Sequence, residues 1–434
     1  MSVLGGIVSA NRAGAQRGIP SWCTAHPQTL AAIFAAYRDD DAPILVEATC
    51  NQVNQFGGYT GMNPAAFRTF AEDLARREGV DPARLVLGGD HLGPNPWRSE
   101  PAASAMAKAR DLVAAYVDAG FAKIHLDASM ACADDVNLAE DTIAGRAADL
   151  CAIAEGRGRQ GLVYVVGTEV PIPGGETHAI DALAVTTPAA VRATWSMHEQ
   201  AFAERGLSGA LERAIGIVVQ PGVDFGNDTV FAFDPGKARS LSAALSGMPN
   251  LAFEAHSTDY QSEAALSALV AGHFAILKVG PELTFAFRQA VFALAGMEAL
   301  MRVAEPSGLV DVVAAEMQVD PRDWRSHVAS GAREREMMLY GLSDRVRYYW
   351  PRPAVQAALQ RLCRNIAAAR PEPGIVAQAL GDLVDPKPAA ENLPDRVIRN
   401  MVGAVVRKYR AAAGEIGATT GAHGAVLQER EECQ

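Results

Sequence analysis

The sequence predicts an α/β protein, a (β/α)8 TIM barrel carrying a C-terminal helical extension. Three observations lead there. Eight short β-branched or apolar runs alternate with helix-like segments between residues 18 and 305. Nearly every run ends in a polar residue, the layout in which a barrel assembles its site from the C-terminal ends of separate strands. Beyond residue 305 the strand signal stops and only helical segments follow.

The runs are SWCTAHP (21–27), PILVEAT (43–49), RLVLGGDH (84–91), KIHLDAS (123–129), LVYVVGTE (162–169), AIGIVVQPG (214–222), LAFEAHS (251–257) and FAILKVG (274–280). Runs such as LVYVV and IGIVV are apolar on both faces, as strands of a covered parallel sheet are. One helix-like segment follows each run: 28–38, 64–77, 103–119, 138–156, 187–205, 235–246, 262–272 and 282–304. The segment 64–77 opens with Pro and repeats apolar residues three or four apart, the signature of a helical start and face. Strict alternation implies parallel strands with right-handed crossovers. Eight units favour closure over an open doubly wound sheet, and no GxGxxG follows the first strand.

Helices are expected at 308–318, 332–349, 353–369, 373–382 and 394–412, so residues 306–412 form the extension, packed on the barrel or serving a homo-oligomer contact. Residues 413–434 are small and polar without periodicity and are expected to be disordered.

The formal charge is −11 without a basic stripe, which argues against nucleic acid or an anionic membrane as partner. The opening residues lack a basic region followed by a long apolar stretch, so no signal peptide is expected. Six scattered cysteines without CxxC spacing read as reduced thiols of a cytoplasmic protein.

The richest stretch is GGDHLGPNPW (88–97), with Asp90 and His91 adjacent at the end of the third run. Neighbours on a strand point to opposite faces, but twist and the following turn can aim both at the mouth. An imidazole there ligates a divalent metal while the carboxylate moves a proton. Glu169 ends the fifth run as a metal ligand or an acid–base group, and Glu176 follows in a Pro-rich loop. Glu254 and His256 are two apart and share a face, with His256 a candidate ligand and Ser257 and Thr258 candidate anion donors. Lys278 could pair with a phosphate or sugar oxygen near Gly280, where barrels often bind phosphate. Asp127 ends the fourth run as a further acid–base candidate, whereas His125 has the same parity and is expected deeper, as a layer residue. The loop NQVNQFGGYTGM (51–62), with Asn51 and Gln55, suits hydroxyl recognition by a lid. Together these residues imply a polar pocket for a hydroxylated anionic metabolite with one divalent metal. They do not name the reaction.

NQVNQFGGYTGM, GGDHLGPNPW, KIHLDASM, GTEVPIPGGE, VVQPGVDF, EAHSTDYQ, HFAILKVGPELTFAFR and LSDRVRYYWP closely resemble the so-called non-catalytic subunits of the class II tagatose-bisphosphate aldolase family. The resemblance runs from about residue 18 to 412. It implies a place in galactitol, tagatose or N-acetylgalactosamine catabolism. Some similar proteins are ketose-6-phosphate 4-epimerases that interconvert D-tagatose 6-phosphate and D-fructose 6-phosphate. The alternative it implies is a subunit that stabilises a separate catalytic class II aldolase.

The resemblance extends distantly to the zinc-binding catalytic aldolases. It makes Asp90-His91 the proton carrier and metal ligand, Glu169 with Gly174-Gly175-Glu176 the equivalent of their Glu-Leu-Gly…Gly-Gly-Glu stretch, and His256 the later ligand. Where those aldolases have a further His-Gly, this chain has Gln220-Pro221. A three-His site is therefore not expected. His91, His256 and Glu169 (or Asp127) would hold Zn²⁺, Mn²⁺ or Mg²⁺, Asp90, Asp127 and Glu169 would do the acid–base chemistry, and Asn51, Gln55, Gln220, Ser257, Thr258 and Lys278 would bind substrate. A Schiff-base aldolase using Lys278 leaves the histidines unexplained, and a kinase reading finds no GxxxxGK[ST].

Overall fold

The computed structural model describes residues 2–167, 183–248, 250–381 and 392–417. Eight parallel strands close into a barrel in chain order: β1 (Ile19–Cys23), β2 (Ile44–Thr49), β3 (Leu85–Leu92), β4 (Lys123–Leu126), β5 (Val163–Val166), β6 (Ala214–Val219), β7 (Ala252–Ala255) and β8 (Ile276–Val279). Ser21 lies opposite Lys278 where β8 pairs with β1, so the barrel has no open edge. The expected (β/α)8 barrel is the observed one.

An N-terminal helix, α1 (Val3–Arg12), went unforeseen. The Ser2 side chain accepts from the Gly5 N–H as its cap, and Leu4, Ile7 and Val8 form one apolar face. That face joins Ile19, Leu45, Val163, Ile215, Ala252 and Ile276, residues at the N-terminal ends of the strands, in an apolar cluster of its own. The helix closes the lower end of the barrel.

Outside the strands run α2 (Pro27–Ala36), α3 (Pro64–Arg77), α4 (Ala102–Asp118), α5 (Glu140–Gly156), α6 (Pro188–Glu204), α7 (Pro235–Ala243), α8 (Glu263–Ala271) and α9 (Pro281–Met301). Five of the eight open on Pro at their first position, which presets the helical φ. By composition α9 is long and apolar enough to cross a membrane. Leu283, Phe287, Val291 and Leu294 are fully buried on it, as befits a core helix.

The extension contains α10 (Leu309–Val319), α11 (Glu334–Tyr340), α12 (Pro353–Ala369), α13 (Pro373–Leu380) and α14 (Leu393–Ala412). Val355 and Leu362 of α12 and Val402 and Val406 of α14 share one core with Phe287 and Leu294 of α9. The helix expected over 332–349 is interrupted. Buried Arg288 donates to the Leu339 carbonyl at 2.6 Å and pairs with Asp344 at 2.7 Å, gathering the free carbonyl end of α11. Asp344 then takes a left-handed φ of 45°, and a 3-10 turn follows at Arg345–Tyr348. The disordered tail expected from residue 413 begins too early. Ala413 is fully buried, and Glu415 accepts from Tyr37 Oη and Arg410 Nε at 3.0 Å each. Residues 418–434 lie outside the described residues.

Candidate active site

Above its apolar floor the barrel interior turns ionic. Lys123 at the start of β4 is fully buried, with Nζ 2.7 Å from Glu47 of β2 and 2.7 Å from Glu254 of β7. Lys278 of β8 lies 2.5 Å from the other Glu47 oxygen and 2.8 Å from Asp90 Oδ1. Glu47 fits because Gly88 lies beside it across the β2–β3 ladder, where an added Cβ would stand 2.7 Å from Glu47 Cγ. Burial disfavours both ammonium groups, but the carboxylates outweigh it and raise both Lys pKa values.

Both members of the Asp90-His91 pair reach this interior. The β3–β4 register shifts between Gly89 and Leu92, and His91 takes a left-handed φ of 49°. That bulge turns two consecutive side chains inward, where a regular strand would send one out. Gly93 completes the turn, since a Cβ there would lie 1.6 Å from the Asp127 carbonyl.

Three imidazoles converge above the ionic layer. The His91 ring centroid is 4.9 Å from that of His125 and 4.9 Å from that of His256. Each ring has one nitrogen against a carboxylate: His91 Nδ1 to Asp127 at 2.7 Å, His256 Nε2 to Glu254 at 3.0 Å and His125 Nδ1 to Asp90 at 3.0 Å. Potential ligand atoms of Asp90, His91, His125 and His256 lie within 4.8 Å of one another. Burial pushes His256 down to about 3, which keeps its imidazole neutral. Burial opposes charge on His91 as well, but Asp90 and Asp127 together raise its pKa. Asp90, despite its burial, is held well below the usual carboxylate range by His91 and Lys278.

These residues fit a divalent cation. His125 Nε2 is buried without a hydrogen-bond partner among the described residues. Four buried carboxylates (Glu47, Asp90, Asp127, Glu254) face two buried ammonium groups (Lys123, Lys278). The carboxylates exceed the ammonium groups by two, an excess that a proton on His91 balances in part and a divalent ion would balance in full. The carboxylate–imidazole pairs are the outer contacts that orient metal-binding histidines. A second cluster, Cys23, Glu47 and Asp90, could also take a cation, but the Lys278 ammonium already lies against both of its carboxylates.

The site opens into a cavity of about 800 Å³. Asn51, Asp90, His91, His256, Ser257 and Lys278 line it from the barrel; Arg347, Tyr348, Trp350, Gln356, Gln360 and Arg364 line it from the extension. The extension thus supplies a wall of the cavity.

Several expectations need correction. Three histidines do gather, with His125 supplying the one thought lost at Gln220. His125 does sit deeper, fully buried and off the cavity wall, yet its ring belongs to the cluster with His91 and His256. Gln220 turns its side-chain oxygen back onto the Gly222 and Val223 N–H groups at 2.8 and 3.0 Å, bracing its own loop away from the cavity. Gln55 is also off the cavity wall and donates to the Lys108 carbonyl at 2.9 Å. Thr258 is fully buried, with its hydroxyl donating to the Lys278 carbonyl at 2.7 Å. Asp127 is committed to His91 and Ser129. Lys278 is neutralised by Glu47 and Asp90, so it is no free phosphate anchor. Asp259 Oδ1 accepts from the Gly280 and Glu282 N–H groups at 3.1 and 2.7 Å, so a carboxylate already holds the α9 N-terminus. Glu169, Gly174, Gly175 and Glu176 lie outside the described residues.

The sequence reading missed Lys123, Glu47 and the ligand role open to His125. The inward parity of Lys123 with His125, and of Glu254 with His256, was the signal available for them.

A closed parallel barrel that gathers three imidazoles and a carboxylate beneath a cavity is the class of fold that can hold a divalent ion beside a small polar ligand. Within that class the chain belongs to the D-tagatose-1,6-bisphosphate aldolase subunit GatZ/KbaZ-like family, whose model matches residues 4–414. It is 46% identical to a D-tagatose 6-phosphate 4-epimerase of Agrobacterium fabrum, over 95% of this chain and 99% of that one. It is 47% identical to the D-tagatose-1,6-bisphosphate aldolase subunit GatZ of Klebsiella pneumoniae, over 86% of this chain and 89% of that one. A crystal structure from Sinorhizobium meliloti, described as a probable tagatose 6 phosphate kinase, shares the fold with a TM-score of 0.82 at 42% identity. It aligns over 91% of this chain and 100% of that one.

Proposed function

We propose that the chain is a cytoplasmic, metal-dependent D-tagatose 6-phosphate 4-epimerase that interconverts D-tagatose 6-phosphate and D-fructose 6-phosphate in galactitol and tagatose catabolism. The observation that carries this reading is the convergence of Asp90, His91, His125 and His256 at the foot of the cavity. The name of the Agrobacterium relative supports the substrate. Five free cysteines among the described residues suit a reducing compartment.

The C4 proton of such a ketose is not acidic, because the C2 carbonyl is two carbons away. Inversion therefore proceeds by breaking and remaking C3–C4. The C4 hydroxyl loses its proton, C4 becomes an aldehyde carbon, and the C3–C4 electron pair delocalises onto the C2 oxygen as an enediolate. The aldehyde rotates, C3 re-adds to its opposite face, and the new C4 alkoxide regains the proton. A divalent ion held by His91, His125 and His256 would supply Lewis-acid stabilisation of negative charge on oxygen, leaving Asp90 to move the proton. Of the expected acid–base groups among the described residues, Asp90 lines the cavity and Asp127 does not, and the Lys278 ammonium beside Asp90 would sit near the developing oxyanion. Asp127 and Glu254 orient imidazoles, and Lys123 holds Glu47 and Glu254 in place.

The second reading is a subunit that stabilises a catalytic class II aldolase, and the names of relatives such as the Klebsiella protein favour it. A scaffold gains nothing from an ionic layer whose desolvation costs stability. Purified chain incubated alone with fructose 6-phosphate, with and without a chelator, separates the two. Chelator-sensitive formation of tagatose 6-phosphate supports the epimerase. No turnover with any divalent metal, together with rescue of a partner aldolase, supports the subunit.

A further inference from the structure

We infer that Arg347 and Tyr348 form the anion subsite of this cavity, where the phosphate of a phosphorylated sugar is gripped by the extension and not by the ends of β7 and β8. This rests on the sugar-phosphate reading above and locates the charged end of its substrate. Both residues line the same cavity as Asp90, His91 and His256.

The usual locus for phosphate in a barrel, after the seventh and eighth strands, is closed in this chain by its own groups. Asp259 holds the α9 N-terminus, the Thr258 hydroxyl is committed to a carbonyl, and Lys278 lies against two carboxylates. The cation must come from elsewhere.

The interrupted segment after α11 supplies it. Arg347 donates to the Ser343 and Asp344 carbonyls and, at 3.0 Å, to Tyr348 Oη, but makes no ion pair with a carboxylate among the described residues. Behind it Arg345, 5% exposed, donates to the same phenol oxygen at 3.2 Å, and its Nε is buried without a partner. Asp323 lies within electrostatic range of both guanidinium groups but forms no ion pair with either among the described residues, so these largely buried charges gain from an anion that meets them directly. Tyr348 Oη accepts from both arginines, which leaves its own proton to donate to a ligand oxygen. Burial disfavours the phenolate, but the two guanidinium charges outweigh it and lower the pKa, making the phenol a stronger donor. The Tyr59 ring of the 51–62 loop meets the Tyr348 ring at 4.9 Å and also lines the cavity, closing the subsite from the barrel side. An Arg beside a phenol donor is the chemistry that selects a phosphate ester over a neutral hydroxyl.

The test is calorimetry on the metal-loaded, full-length chain with fructose 6-phosphate, fructose and inorganic phosphate. Arg347→Gln and Tyr348→Phe are compared with wild type. Losing a charge-assisted hydrogen bond should weaken fructose 6-phosphate binding about 10- to 100-fold in Arg347→Gln, and about tenfold in Tyr348→Phe. Affinity for fructose should change less than about threefold, and retained metal binding identifies a folded variant. Unchanged fructose 6-phosphate affinity in both folded variants, or loss of it in Ser257→Ala instead, overturns the subsite. Wild-type protein that binds neither phosphate species overturns it as well. Binding that depends on Arg347 without any turnover sustains the subsite and removes the epimerase. Turnover whose KM ignores Arg347 does the reverse.

Discussion

His91 Nδ1 lies 2.7 Å from Asp127 Oδ2, and the Ser129 N–H and hydroxyl fix the other Asp127 oxygen at 3.0 and 2.6 Å. This chain of bonds sets which imidazole nitrogen faces the cluster. Asp127→Ala should lower divalent-metal affinity about 10- to 100-fold, as measured by competition with a chromogenic chelator. Activity should return at saturating metal. Unchanged affinity would show that packing alone positions the ring.

Metal removal should act on stability as well as activity. Exhaustive chelation should abolish epimerisation and lower the melting temperature, because the buried carboxylates then exceed the ammonium groups by two charges. A donor set of three imidazoles favours Zn²⁺, Mn²⁺ or Co²⁺ over Mg²⁺, so the first three are expected to restore activity better than Mg²⁺. Full recovery with Mg²⁺ alone would refute that donor set.

Lys123 is predicted to be a stability residue that no ligand touches. Lys123→Met leaves Glu47 and Glu254 without the ammonium 2.7 Å from each. The expected loss is about 3–5 kcal/mol in urea unfolding. Adding Glu254→Gln should restore part of it, since one of the uncompensated charges is then removed. A single variant as stable as wild type would mean that water enters the layer.

Asp259 predicts a pH dependence. Burial, opposed by the Glu282 N–H and reinforced by the Glu282 carboxylate, lifts the Asp259 carboxyl from the ordinary carboxylate range to about 7. The folded state therefore binds the extra proton. The contribution to stability is complete below the unfolded value and is lost as pH rises through about 7. Asp259→Asn should flatten the fall in melting temperature between about pH 4 and about pH 7. Parallel curves for variant and wild type would contradict the assignment.

The barrel was legible because strand and helix signals alternate with unusual regularity, and Pro marks most helix starts. The site was legible in part. Asp90, His91 and His256 stood out because they sit at strand ends. Lys123 and His125 lie further down a strand, where a barrel normally packs hydrocarbon, and nothing local distinguishes an ionic layer from an apolar one. Gln220 misled because a third histidine was sought at that strand end, whereas the third imidazole of the cluster comes from His125 on a different strand, a neighbourhood that only closure of the barrel reveals. Helix α11 stops where it does because Arg288, from a distant segment, claims its carbonyls.

The two walls of the cavity come from stretches of chain far apart in sequence, Cys23 to Thr284 on one side and Arg347 to Arg364 on the other. Bond making and substrate choice can therefore drift separately. A change confined to the later stretch would retune which sugars enter while the reacting centre stays intact, and this makes residues 341–364 the natural region to recombine between relatives when a new specificity is wanted.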